Sequence, residues 1–348
     1  MFRLSYLSPR VVVRVVRPTI TKKNNRSTSI SITCKVDRCH PWLRACHDFS
    51  STPASANNAS EKVAAVTGSY YNDPMNVRYF DKVWGEEVHV GRYDLLEGDD
   101  AKLEGLERVQ RATAMTNNVL MDRLFPASFV PSGETAVMDM GSGFGTFARS
   151  IATRFGCKVV CIDMSSTFNA INATRSEEAG LAEKIIIPGE RSFFDTRVPS
   201  SSMSGLVSMD SFMHTNGDTD MIMKESARVL RRGSLMVFTD IMQSNTADAT
   251  AMQKVYDEYG IEKFCSPETL ENSGKEHGMK LVGFEDRTPN LRIHYQTLID
   301  LIASLRSKLE NVDDSMLDAR SSRSSKIVEA EQGGHMSWGT FVFRKDVD

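Results

Sequence analysis

Asp139, Gly141, Gly143, Gly145 and Asp163 have the types and spacing of a site for a nucleoside-bearing ligand. Three glycines at alternate positions let the backbone approach a ligand where a Cβ would collide. The residues that follow, Ala148, Ile151 and Ala152, continue at helical spacing, so the free N–H groups of a first helical turn face the same crevice. Asp163 lies 22 residues beyond Gly141, close to the roughly 20-residue spacing at which a carboxylate reaches a ribose hydroxyl pair. A dinucleotide site expects G-x-G-x-x-G, but here Thr146 stands where the third glycine would be. Asp139, just ahead of the glycines, would repel a pyrophosphate and instead suits a ligand bearing an ammonium group. These features disfavour a nicotinamide-dependent oxidoreductase.

The elements that must position these residues alternate along the chain. Thr135 to Met140 reads as a buried strand and Lys158 to Asp163 as a second, followed by a helix over Thr167 to Gly180. Further strands are predicted at Lys184–Pro188, Ser204–Asp210, Ser234–Asp240, Lys280–Arg287 and Ser337–Arg344, and helices at Thr219–Arg232, Asp248–Tyr259, Pro267–His277 and Asn290–Asn311. This order specifies an α/β fold with a doubly wound, seven-stranded, mostly parallel sheet over residues 131–348. Ahead of it, residues 61–130 read as a helical lid over the carboxyl edge of the sheet: Lys62–Tyr71, Asn76–Trp84 after an Asp73-Pro74 cap, a loop over Gly85–Tyr93, and Ala101–Leu124.

Composition divides the chain of 348 residues, 41% hydrophobic and 25% charged. Residues 1–50 hold ten Lys/Arg against Asp37 and Asp48, a net of +8, which leaves 32 basic and 43 acidic residues and a net of −11 for the remainder. An acidic body argues against a nucleic-acid partner. Residues 1–49 are Arg- and Ser-rich, with Arg10, Arg14 and Arg17 on one helical face, and read as an organelle-targeting segment: a mitochondrial presequence, with a plastid transit peptide as the alternative. Residues 50–60 read as a linker. No apolar run approaches the length of a membrane span, so membrane insertion is not expected. Cys34, Cys39, His40, Cys46 and His47 lack zinc-module spacing and no metal site is expected. Cys157, Cys161 and Cys265 suit buried, reduced thiols. The oligomeric state is left open, a homodimer being compatible with the sequence.

The glycine turn with its two acids resembles motif I of class I S-adenosylmethionine-dependent methyltransferases. The resemblance then becomes more specific. Tyr70-Tyr71-Asn72, the stretch from Val83 to Tyr93, Ser208 to His214, Arg228-Val229-Leu230, Phe238 to Gln243 and Trp338 to Lys345 resemble the sarcosine/dimethylglycine N-methyltransferases. A similar branch is the algal DsyB-type enzymes, which S-methylate 4-methylthio-2-hydroxybutyrate on the route to dimethylsulfoniopropionate. A single unit behind an organelle presequence is closer to that second branch. The resemblance implies a Rossmann-like methyltransferase fold, S-adenosylmethionine as donor and a small carboxylate as acceptor. It places Asp139 and the three glycines on the methionine part of the donor, Asp163 on the ribose, Met164 with Arg191-Ser192-Phe193 around adenine, and Met209 and Asp210 beneath the sulfonium, with Tyr71 closing over it. Leu230-Arg231-Arg232-Gly233-Ser234 replaces the Lys-Pro-Gly-Gly turn usual in the family, a structural change only.

Acceptor residues follow from chemistry. A thioether has no proton to lose, whereas an amine must arrive deprotonated and benefits from a neutral His. His214, after a strand at the ligand-binding edge, is expected to contact the acceptor, with His89 and His294 weaker. Tyr93 and Tyr295 are expected among the aromatic faces that stabilise an onium group, alongside Tyr71; Trp84 reads either as one of these or as a seal of the lid helix, and Trp338 reads as core. Arg292, or Arg92, is expected to clamp the acceptor carboxylate. The remaining possibility, a binding protein without catalysis, is disfavoured by the intact glycines and acids.

Overall fold

The computed structural model describes residues 68–308 and 312–346; the targeting segment and linker lie outside the described residues. Residues 68–72 are helical, and Asp73 then caps α1 (Pro74–Tyr79) by accepting from Met75 N–H at 2.8 Å, with Pro74 supplying a pre-set φ at the first helical position. The helix widens into a π turn over Phe80–Trp84, and Gly85 ends it at φ +82°. A long helix, α2 (Gly105–Arg123), begins four residues later than Ala101, because Asp100–Lys102 forms a separate 3-10 turn.

The sheet is built from β1 (Ala136–Met140), β2 (Lys158–Ile162), β3 (Ile185–Ile186), β4 (Met203–Met209), β5 (Leu230–Gln243), β6 (Met279–Asp286) and β7 (Met336–Lys345). Its order is β3-β2-β1-β4-β5-β7-β6, with β7 running antiparallel to both of its neighbours. This is the seven-stranded, mostly parallel sheet expected. The inner strands are buried on both faces, which explains why β1 reads as a continuous apolar run interrupted only by Asp139. Register sets Asp139 beside Cys161 on β2 and Val207 on β4.

Helices α3 (Thr146–Phe155), α4 (Ser166–Glu178), α5 (Thr219–Val229), α6 (Ala249–Tyr259), α7 (Pro267–Glu276), α8 (Pro289–Leu305) and α9 (Asp314–Gln332) flank the sheet. One core lies on the α2/α3 side of β1 and β2, where Leu120 and Leu124 meet Val137, Ile151 and Val159. Another lies on the opposite face, under α5 and α7, where Met138, Phe212, Phe238 and Phe341 pack. A third, rich in aromatic residues, joins the 68–84 segment to α6, α8 and α9 above the sheet.

Two departures from the sequence reading bear on the site. The predicted helix over Asn290–Asn311 stops at Leu305, and the unpredicted α9 follows, capped by Asp313 accepting from Ser315 N–H at 2.8 Å. In addition, β5 extends back to Leu230, so the Arg231–Ser234 stretch continues the strand around Gly233 at φ +76°.

Candidate active site

The glycine turn leaves β1 at Met140 and climbs over the carboxyl edge of the sheet. Gly141, Gly143 and Gly145 all have positive φ, at 80°, 51° and 74°. Gly145 is the N-cap residue of α3, and a Cβ there would collide with the carboxamide of Asn172. Asp163, at the end of β2, ties the turn down: Oδ2 accepts from Gly143 N–H and Oδ1 from Ser165 N–H, each at 2.8 Å. Each carboxylate oxygen keeps a further lone pair for a hydroxyl.

A cleft of about 960 Å³, counting its mouth, lies above this turn and is lined by Asp139, the turn, Asp163, Met164, Ser192, Phe193 and Met209. Asp139 is 2% exposed and its Oδ2 has no hydrogen-bond partner among the described residues. Burial, reinforced by the neighbouring Asp163 charge, pushes its carboxyl up to about 7. A buried acid poised this way awaits a cationic partner.

A larger cavity of about 1,460 Å³ adjoins the cleft, beneath the 68–84 segment and beside α6, α8 and α9. Its walls are strongly aromatic: Tyr70, Tyr71, Tyr79, Phe80, Trp84, Tyr259 and Tyr295. The two spaces share Tyr71, Val88, His89, Asp210 and His214, so a group passed from one ligand to another would cross there. His214 stands on the 3-10 turn Phe212–Thr215, and its Nε2 is 2.8 Å from the Tyr71 hydroxyl. Burial, with a smaller effect from Arg323, lowers the imidazole to about 4, and burial raises the Tyr71 phenol far above its usual range. Both are neutral at physiological pH. Asp210 adopts φ +50°, a strained conformation outside glycine, and is held by Val90 N–H to Oδ2 at 2.7 Å and Trp338 Nε1–H to Oδ1 at 2.9 Å. Among the described residues no group of His, Cys, Asp and Glu is arranged to hold a metal ion.

A family model described as "Methyltransferase domain" matches residues 137–233, the segment from β1 to the start of β5 that contains the glycine turn and both acids. The chain is 27% identical over 292 residues to a sarcosine/dimethylglycine N-methyltransferase of Halorhodospira halochloris, covering 83% of this chain and 99% of that protein. The chain is a class I S-adenosylmethionine-dependent methyltransferase. Among solved structures, a putative sarcosine dimethylglycine methyltransferase from Galdieria sulphuraria superposes with a TM-score of 0.69 at 24% identity, over 79% of this chain and 99% of that one. The geranyl diphosphate C-methyltransferase from Streptomyces coelicolor, in complex with Mg2+, geranyl diphosphate and S-adenosyl-L-homocysteine, has a TM-score of 0.63 at 14% identity over 84% and 100%. Both share the fold of the methyltransferase.

The residues present fit the donor. The unpartnered Asp139 Oδ2 suits the ammonium of its methionyl part, and Asp163 the ribose hydroxyls. In the protein alone the raised pKa of Asp139 favours the fold below about pH 4, and that contribution is lost as pH rises through 7. A bound ammonium reverses the preference, since it pairs only with the ionised form. Donor affinity should therefore rise with pH: about a tenth of Asp139 is ionised at pH 6 and about nine-tenths at pH 8, so the Kd should be about tenfold larger at pH 6. Calorimetry at the two values checks this, and a Kd equal at both would remove the ammonium role; Asp139→Asn should abolish the slope.

Several expected residues belong elsewhere. Arg292 is half-exposed and paired with Glu331 at 3.1 Å, outside both spaces. Arg92 is buried against Asp94 at 2.8 Å and Glu285 at 3.5 Å, so its charge is already neutralised. Tyr93 packs beneath α8 with its hydroxyl 3.0 Å from His294 Nδ1 and lines neither space; burial lowers His294 to about 3. Arg191 contributes its backbone N–H to Asp163 O at 3.0 Å, while Ser192, Phe193 and Phe194 form the cleft wall. Tyr295 does line the cavity, bonded to Tyr259 at 3.1 Å, and Trp84 joins it there. His89 reaches both spaces, closer to the reaction than its loop position suggested. Missed altogether were Arg320 and Arg323 of α9, whose only sequence signal was a basic i, i+3 pair in a serine-rich segment.

Proposed function

We propose that the acceptor is a small thioether carboxylate, best matched by 4-methylthio-2-hydroxybutyrate, whose S-methylation leads to dimethylsulfoniopropionate. The observation that carries this reading is the state of His214, the base expected to serve an amine, while His89, which also lines both spaces, turns its Nδ1 to Val90 O at 3.2 Å and has Nε2 3.8 Å from Glu87. His214 is a weak base bonded to Tyr71, whose phenol burial keeps protonated, and each Asp210 oxygen already accepts a hydrogen bond, from Val90 or from Trp338. A nucleophile with no proton to lose needs none of them.

S-adenosylmethionine, when bound, supplies an electrophilic methyl group that passes to the acceptor sulfur as its own S–CH3 bond breaks, so the positive charge moves to the product and no proton is transferred. Tyr71, Val88 and His214 shape the passage between the two ligands, and alignment of this kind contributes roughly 7–11 kcal/mol. The aromatic walls, Tyr71 foremost, stabilise the onium group by about 0.5–2 kcal/mol for each well-placed ring. The 68–84 segment and α9 both contribute walls to the cavity.

N-methylation of sarcosine or dimethylglycine is the second reading, favoured by the name of the Halorhodospira relative. The two separate cleanly. The protein is incubated with S-adenosylmethionine and each acceptor, and products are read by mass spectrometry. A sulfonium from the thioether is expected; betaine from the amines without any sulfonium would overturn the proposal. At saturating donor the thioether rate should change less than about twofold between about pH 6.5 and 9, and His214→Gln should keep that flat profile. An amine acceptor would instead gain about tenfold per pH unit while it is protonated. Residues 1–49 as a mitochondrial presequence is a further proposal, tested by the destination of a fluorescent reporter fused to residues 1–60: a cytosolic reporter removes it.

A further inference from the structure

Arg320 and Arg323, one turn apart on α9, both line the aromatic cavity and not the cleft above the glycine turn. Arg320 is 9% exposed. It donates to the Tyr70 hydroxyl and, through Nη2, to Asn76 Oδ1 at 2.6 Å, with its guanidinium carbon 4.8 Å from the Tyr70 ring centre. Arg323 donates from Nη1 to the same hydroxyl at 3.3 Å and lies 4.7 Å above the Tyr259 ring. Their partners are neutral. Among the described residues neither makes an ion pair, and the buried Nε of Arg323 has no acceptor. The other arginines drawn into the body are compensated: Arg92 by Asp94 at 2.8 Å, Arg175 by Asp81 at 3.0 Å and Arg228 by Glu225 at 2.7 Å.

Two cations in one cavity, neither ion-paired with the Asp210 or Glu262 carboxylates that also line it, are costly to desolvate unless a ligand supplies the missing charge. Their planar forks suit a carboxylate, and the rings of Tyr70 and Tyr259 hold them in place for it. Resting on the proposed function for the rest of the acceptor, we propose that Arg320 and Arg323 form the subsite for the acceptor carboxylate and select an acceptor of net negative charge over a zwitterion. The cavity would then be oriented, with the carboxylate at the α9 end and the reacting atom at the His214 end. An α-ammonium would sit close to two guanidinium groups and be disfavoured.

The test measures binding rather than turnover, using the full chain with S-adenosyl-L-homocysteine present. 4-(Methylthio)butyrate, its neutral amide and methionine are titrated into wild type, Arg320→Met and Arg323→Met. The carboxylate should bind wild type at least about 30-fold more tightly than the amide and tenfold more tightly than methionine, and each substitution should remove most of the first difference while changing S-adenosyl-L-homocysteine affinity less than twofold. Arg323→Met should also melt no lower than wild type, because it removes an uncompensated buried cation; a purely structural arginine would melt lower. Equal binding of carboxylate and amide to wild type overturns the subsite, as does unchanged carboxylate affinity in both variants. Equal binding of methionine and the carboxylate overturns the charge selection. Since no methyl transfer is read, an incorrect acceptor atom would appear as missing product with these binding losses intact.

Discussion

Asp163→Ala is expected to weaken S-adenosylmethionine binding about 100-fold. The substitution removes two kinds of contact at once. In the protein alone, Asp163 accepts from Gly143 N–H and Ser165 N–H at 2.8 Å each, and so pins the glycine turn to the start of α4. Toward the ligand, it offers the remaining lone pairs to the ribose hydroxyls. Hydrogen bonds to a charged acceptor contribute about 1.5–3 kcal/mol each, and losing one or two of them while freeing the turn gives about 3 kcal/mol, or roughly two factors of ten. Asp163→Asn, which can keep its carbonyl on Gly143 N–H, should lose less. Calorimetry checks both; an Asp163→Ala protein that binds within threefold of wild type would show that the ribose is held by other groups.

The second large effect concerns the fold. Gly145→Ala is expected to destabilise the protein by about 3 kcal/mol or more, with a fall in Tm of roughly 6–12 °C. Part of the cost is conformational, since φ is +74° and an L side chain there is strained by about 1–2 kcal/mol. The rest is collision with Asn172, which cannot swing away: its Oδ1 accepts from Ser176 Oγ at 3.0 Å and lies 3.3 Å from Arg149 Nη1. Thermal unfolding with and without Asn172→Ala separates the two contributions. The double variant should recover part of the loss. A single variant melting within 2 °C of wild type would mean that the turn can relax around the methyl.

The glycine turn was legible in the sequence because everything it needs is local. The strand, the three glycines, the helix and both acids fall within residues 135–163, and parallel pairing of β1 with β2 brings Asp139 and Asp163 to one edge. The aromatic cavity was not legible. Tyr70 and Arg320, which meet in it, are 250 positions apart. The helix that carries the arginines has only Leu317, Ile327 and Ala330 as buried apolar residues in 19 positions, too thin a stripe for helical periodicity to announce. Arg92 and Arg292 were plausible on type and place, but their neutralising partners Asp94, Glu285 and Glu331 are fixed only by packing. Tyr93 fails for the same reason, since His294 on α8 claims its hydroxyl. The π turn at Phe80–Trp84, which aims Phe80 and Trp84 at the cavity, has no sequence signature that periodicity detects.

One strand has a bearing on how the enzyme matures. β7 is the last strand of the sheet to leave the ribosome, yet it lies between β5 and β6 and not at an edge. Its Trp338 supplies the indole N–H that holds Asp210 in its strained conformation, and Asp210 in turn fastens Val90, next to the His89 that lines both spaces. Until that strand is in place, β6 lacks its sheet partner and the catalytic wall is unfastened. A nascent chain can form the glycine turn early but cannot yet fasten Asp210, so truncations that remove residues 336–345 should yield inactive protein, not a slow enzyme, and activity would report that β7 has been made.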